Sequence, residues 1–172
     1  MRVAALKHAI RDVPDFPKKG IVFKDITTLL KDAPLFREAM DLFTDLCQRT
    51  RPDKVVAIES RGFILGAVLA DRLGAGFVPV RKKGKLPGGK IAHTYDLEYG
   101  TDCLEIHEDA LQRGERALVV DDVIATGGTA AATAHLVGQL GAELAGYAFL
   151  VELTLLKGRD KLKSEVLSLI RY

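Results

Sequence analysis

The chain has 172 residues, 48% of them apolar, enough for one substantial core and one domain with at most a small appendage. Its 25 basic and 23 acidic residues leave a formal net charge of +2, which argues against a general nucleic-acid coat. The first residues lack the apolar run of a secretion signal and no stretch reaches membrane-spanning length, while the 2 cysteines and 4 histidines make neither a disulfide framework nor a metal-ligand spacing. The expectation is a reduced, cytosolic protein with no membrane or nucleic-acid partner.

Residues 2–11 read as a short amphipathic helix ended by Asp12 and Pro14. Residues 15–25 read as a loop with an apolar tip, kept irregular by Pro17 and Gly20. Phe23 in that loop either plugs a small N-terminal core or serves a ligand. From Pro34 onward, Leu35, Phe36, Ala39, Met40, Leu42, Phe43, Leu46 and Cys47 recur at three- and four-residue steps, the stripe of a core-facing helix. After the break at Arg51-Pro52-Asp53, Val55–Ile58 is a buried strand that runs into Glu59-Ser60-Arg61-Gly62-Phe63. A helix follows, closed by Gly74 and Gly76, and residues 76–80 complete a right-handed parallel βαβ unit.

Residues 81–90, RKKGKLPGGK, pack five cations among three glycines and a proline. Such a run is either a solvated surface turn or a mobile lid over a polyanion. Its start at the ligand end of a central strand favours the lid. Residues 86–94 read as loop-like, and His93 carries no assigned role. Residues 94–99 and 103–106 alternate well enough to be the two arms flanking the lid or the strand behind it.

Residues 117–133, ALVVDDVIATGGTAAAT, organise the rest. An apolar run, Ala117 to Val120, suits a strand buried on both faces. Asp121 and Asp122 follow, then Ala125-Thr126-Gly127-Gly128-Thr129, then an Ala-rich helix. The glycines bring bare N–H groups close to an anion, the helix adds its positive end, and Thr126 and Thr129 add hydroxyl donors. Ionised aspartates only accept hydrogen bonds, so they suit neighbouring sugar hydroxyls or a cation. Phosphate donors beside hydroxyl acceptors describe a ribose 5-phosphate. A plain helix-capping turn is the alternative reading of the same turn. The stretch has neither the Gly-Lys-Ser/Thr of a nucleotide P-loop nor the Gly-x-Gly-x-x-Gly of a dinucleotide fold. Residues 144–153 form a further apolar strand, and residues 166–170 a last short one. Strands alternating with helices give an α/β fold, a mostly parallel twisted sheet with helices on both faces.

VVDDVIATGGT resembles the phosphoribosyl-pyrophosphate motif of the type I phosphoribosyltransferase family. FPKKGIVFKDIT, ESRGF, RKKGKLPG with YDLEYG, and VELTLLKGR are similar to its adenine-specific members. The resemblance implies the type I fold, with a small N-terminal hood (residues 1–33) on a core of residues 34–172. It implies transfer of phosphoribose from phosphoribosyl pyrophosphate to adenine, giving AMP and pyrophosphate with Mg²⁺, in a homodimer. By that likeness Ala125, Thr126, Gly127, Gly128 and Thr129 would hold the 5-phosphate, and Asp121 and Asp122 the ribose hydroxyls. Glu59, Ser60 and Arg61 would form the pyrophosphate loop, with a cis peptide between Glu59 and Ser60. Phe23 would stack on adenine, with Leu153 on its other face and the Val22 backbone and Arg61 near its edge. Lys82, Lys85 and Tyr99 would close over the pyrophosphate. Glu98 would take the proton that adenine loses, and Mg²⁺ would be bound mainly through substrate. Two rivals stay open at this point: a phosphoribosyl-pyrophosphate-sensing nucleic-acid regulator of the same fold, and a transferase for another base.

Overall fold

A computed structural model describes residues 2–96 and 100–172. The N-terminal segment contains helix α1 (Arg2–Ala9), strands β1 (Arg11–Pro14) and β2 (Val22–Asp25), and the single-turn helix α2 (Thr27–Leu30). β1 and β2 pair antiparallel, with Val13 opposite Phe23. Residues 15–25 are therefore not all loop. Two four-residue strands bracket an irregular turn that contains a cis Phe16–Pro17 bond. Strands this short, interrupted by prolines and lysines, leave no readable alternation. The helix also stops at Ala9, two residues short of the expected end.

Asp25 locks the hairpin. Its carboxylate accepts from Thr27 N (2.9 Å), Thr27 Oγ1 (2.6 Å) and Arg11 Nε (3.1 Å). The Thr27 and Arg11 hydrogen bonds pull its pKa down to about 2. A depressed carboxylate contributes stability that is present above its unfolded pKa and lost as pH falls through the folded one. Asp25→Asn is accordingly expected to destabilise by about 1 kcal/mol at pH 7, discounted for the exposed arginine. The difference should vanish between pH 4 and pH 2 in urea titrations; an equal gap at pH 2 would exclude this role.

Helix α3 (Ala33–Cys47) starts where Asp32 accepts from Leu35 N at 3.1 Å, and it buries Ala39, Met40, Phe43 and Cys47 as its stripe demands. Then come β3 (Lys54–Ile58), α4 (Arg61–Leu73), β4 (Gly76–Lys82), β5 (Lys90–Asp96), β6 (Thr101–His107), β7 (Arg116–Ile124), α5 (Gly128–Gln139), β8 (Glu143–Glu152) and β9 (Val166–Arg171). One seven-stranded sheet forms in the order β5-β6-β4-β3-β7-β8-β9. Its five strands from β4 to β9 are parallel, and β6 and β5 extend the β4 edge antiparallel.

Alternate residues of β7 serve opposite faces of the sheet. Leu118 and Val120 join the cluster of Leu65 and Leu69 on α4, together with Met40 and Phe43; Val119 joins that of Leu136 and Val137 on α5. Leu6, Ile10, Ile26 and Leu29 share the first cluster, so the N-terminal segment packs into the main core.

Residues 90–96, read above as loop-like up to Thr94, form β5. Their burial alternates along the whole strand, with Ile91, His93 and Tyr95 half-buried and the intervening residues exposed. The sheet order also fixes the site. β3 has β4 on one side and β7 on the other, and the connections after β3 and β7 lead into α4 and α5 on opposite faces. The crevice beyond their carboxyl ends is the switch point where α/β folds bind ligands. Among the described residues no helix is long and apolar enough to cross a membrane.

Candidate active site

β7 continues through Asp121 and Asp122 to Ile124, so the acidic pair sits on the strand itself rather than after it. Beyond Ile124 the chain turns at Gly127, whose φ of 79° lies in the left-handed region that favours glycine, and α5 begins at Gly128. The first-turn N–H groups of α5 have no intrahelical acceptor and point out of the helix end. They border a crevice of about 90 Å³ lined by Asp121, residues 125–129 and Phe149. The five residues assigned to the phosphate thus converge on one concavity.

A second chain segment walls this crest, and sequence reading missed it. A side chain at Gly127 would begin 2.4 Å from the Gly158 carbonyl oxygen, and one at Gly158 would begin 2.2 Å from that of Ala125. The two backbones therefore touch directly, and the pair must both be glycine. Gly158 is held there by its neighbour Arg159, whose Nε and Nη2 donate to Glu152 Oε1 and Oε2 at 2.9 and 2.6 Å. Only the Gly-Arg pair in VELTLLKGR hinted at it.

β3 delivers the other half. Its end runs into a cis peptide between Glu59 and Ser60, as the resemblance implied, and Ser60 precedes α4 without a side-chain capping bond. Gly62 lets α4 press on β7: a side chain there would start 2.9 Å from Asp121 Oδ1. Arg61 then reaches across. Its Nε lies 2.7 Å from Asp122 Oδ2, and its guanidinium sits 4.9 Å from the centre of the Phe23 ring. Asp122 is only 4% exposed, and its Oδ2 lacks an aligned hydrogen-bond donor despite the close guanidinium. The contact is an ion pair with acceptor capacity left over.

Burial and then the charge of Asp122 push the Asp121 carboxyl well above the ordinary range. Burial raises Asp122 too, opposed by Arg61. Two such oxygens gain by accepting hydroxyl donors.

The cationic run is tied to the sheet. Glu59, almost buried, takes Arg81 Nε at 2.9 Å and Lys85 Nζ at 2.7 Å, while Lys82 Nζ rests 3.2 Å from Asp102 Oδ2. Burial works against ionisation of Glu59, but the Lys85 and Arg81 hydrogen bonds outweigh it and hold its pKa below the usual value. Glu59 thus contributes an anion that parks two cations.

On the base side, Phe16 meets Phe23 edge-on at 5.2 Å and Val22 is 46% exposed. Leu153 N donates to Ile124 O at 3.0 Å, which seats it at the end of the aspartate strand. Glu98 and Tyr99 lie outside the described residues; in sequence they fall between β5 and β6. No cluster of three or more potential metal-ligand side chains occurs among the described residues.

The phosphoribosyl transferase domain family matches residues 25–169. An adenine phosphoribosyltransferase of Nostoc punctiforme is 56% identical across 97% of this chain and 99% of its own. The crystal structure of the Thermoanaerobacter pseudethanolicus adenine phosphoribosyltransferase superposes with a TM-score of 0.96 at 51% identity, covering 99% of both chains. This chain belongs to the adenine phosphoribosyltransferase family. The Saccharomyces cerevisiae member, complexed with an imino-altritol bisphosphate and adenine, matches with a TM-score of 0.94 at 44% identity over 98% of both chains. In this member of the adenine phosphoribosyltransferase family, the segment from Phe23 through Arg61 to Asp122 joins the hairpin, the β3 loop and the aspartate strand into one surface.

Proposed function

We infer that the protein transfers the 5-phosphoribosyl group from phosphoribosyl pyrophosphate to adenine, releasing AMP and pyrophosphate. One observation carries this reading: a single guanidinium, that of Arg61, lies between an aromatic ring suited to a base and a buried carboxylate suited to a ribose, beside a glycine crest suited to a phosphate. The reading includes purine salvage in the cytoplasm, a homodimer, and residues 1–33 as a hood over a core of residues 34–172.

In this scheme the N–H groups and hydroxyls of residues 125–129 hold the 5-phosphate, and Asp121 and Asp122 accept from the ribose hydroxyls. Adenine lies on Phe23, flanked by Leu153, Arg61 and the Val22 backbone. As the C1–O bond breaks, its electron pair leaves with pyrophosphate and positive charge grows on the sugar. Arg61, Lys82 and Lys85 stabilise the leaving anion, with Ser60 in the loop beneath. Lys85 exchanges Glu59 for pyrophosphate in doing so. Tyr99 closes over the site and limits water. The base nitrogen bonds C1 while Glu98 accepts its proton. Mg²⁺, when bound through the substrate's own oxygens, supplies charge neutralisation on the pyrophosphate. The residual acceptor capacity of Asp122, next to Asp121, fits this arrangement.

Purified protein with Mg²⁺ and phosphoribosyl pyrophosphate should form product with adenine and not with hypoxanthine, guanine or orotate. Product with another base alone would move the assignment to that base. No product, together with tight nucleic-acid binding, would favour a regulator. Glu98→Gln is expected to lower kcat by about 10²–10⁴-fold with little change in the KM for phosphoribosyl pyrophosphate. Unchanged turnover would remove the proton-acceptor role.

A further inference from the structure

Tyr95 is absent from every role given so far, yet it touches the phosphate crest from a different element. It lies on β5, half-buried, and its hydroxyl is 3.1 Å from Thr129 Oγ1. Its ring edge is 3.8 Å from the point where a side chain at Gly128 would begin, so the ring packs beside the first residue of α5. Asp102 on β6 is its cross-strand partner, and that carboxylate in turn takes Lys82. A row of polar groups, Lys82, Asp102, Tyr95 and Thr129, thus runs from the cationic segment to the crest.

The chemistry of the two hydroxyls gives the row a direction. Each has one hydrogen, and in their mutual hydrogen bond either oxygen can donate. A phosphate dianion has no hydrogen to offer. Thr129 can donate to it only by spending its single hydrogen, and then keeps its contact with Tyr95 only by accepting the phenol's hydrogen. Without the phenol, the Thr129 hydroxyl loses this partner.

We propose that Tyr95 is a positioning residue that aims the Thr129 hydroxyl at the 5-phosphate and ties β5 to the occupied crest. The proposal rests on the phosphate reading of residues 125–129. It is tested by a double-mutant cycle on the full-length protein, with ribose 5-phosphate as the calorimetric probe. Tyr95→Phe keeps the ring and should weaken binding about five- to tenfold, and Thr129→Val should weaken it about ten- to thirtyfold. The double variant should be no worse than Thr129→Val, because the two groups act as one unit. Thr129→Ser, which keeps the hydroxyl, should bind within about twofold of the parent and remain sensitive to Tyr95→Phe. Tyr95→Phe should also raise the KM for phosphoribosyl pyrophosphate more than it lowers kcat, with the affinity for free adenine unchanged.

Losses that multiply, or a Tyr95→Phe protein that binds the probe like the parent, would overturn the proposal while leaving the crest in place. Full probe affinity in Thr129→Val would show that Thr129 is no phosphate ligand, and would remove the proposal's basis along with that residue's assignment. Thermal unfolding of each variant separates these results from a general loss of fold.

Discussion

Gly158→Ala is expected to cut kcat/KM for phosphoribosyl pyrophosphate by roughly 10²–10⁴-fold while leaving the protein folded. A methyl group there would begin 2.2 Å from the Ala125 carbonyl oxygen and 2.9 Å from the Gly127 nitrogen. Both obstacles are backbone, so no rotamer change relieves them and the crest itself must move. Displacing it weakens two or three hydrogen bonds to a dianion, each worth about 1.5–3 kcal/mol. Gly138→Ala serves as the control. It lies in α5 with nothing within 4 Å of the added atom, and should be neutral or stabilising by about 0.5–1 kcal/mol. Steady-state kinetics with circular dichroism decide the matter: a Gly158→Ala protein with the parent KM would show that the wall does not position the crest.

Arg61→Met should produce the other large loss, roughly 10²–10³-fold in kcat/KM, because in the proposed scheme it removes a cation aimed at charge that develops on the leaving group. It should also destabilise the protein by about 1–3 kcal/mol at pH 8, since Asp122 is left buried without its counter-ion; solvent at the partly exposed arginine screens the pair and keeps the loss from being larger. The pH dependence has a definite sign. Burial already raises the Asp122 carboxyl and Arg61 opposes it, so removing Arg61 lifts that pKa further. A group with a raised folded pKa takes up protons on folding and favours the folded state more as pH falls. The stability gap between variant and parent should therefore be widest at pH 8 and narrow towards pH 5. A gap independent of pH would mean that Arg61 does not compensate Asp122. Arg61→Lys keeps the charge and loses the planar face over Phe23, and should fall between the two.

The parts that were legible beforehand were those whose causes lie close together along the chain. Val119 and Val120, the acids, Gly127 and the Ala-rich helix stand in sequence as they stand in space, so a local pattern carried the whole crest. The α3 stripe was equally plain. The antiparallel β5 was obscured because Gly88 and Gly89 signalled a loop and His93 and Ala92 carry little strand preference. Its alternation of Ile91, His93 and Tyr95 was nevertheless available. The β1–β2 hairpin was hidden by the brevity of its strands. Partnerships such as Glu59 with Arg81 and Lys85, Tyr95 with Asp102 and Thr129, or Gly127 with Gly158 depend on register and on the meeting of distant segments. Residue types alone do not encode them, and the bare charge of the 81–90 run suggested free cations where the fold supplies each of Arg81, Lys82 and Lys85 with a carboxylate.

The contact between the Gly127 and Gly158 backbones also bears on how the protein comes into being. During synthesis the strand with the two aspartates, and even the start of α5, emerge well before residue 158. Until that later glycine arrives, the anion cradle has one side missing. A nascent chain shorter than this would bury much of the sheet yet lack one wall of the crevice at residues 125–129. Ligand rescue by added nucleotide should accordingly act only on chains extended past residue 158.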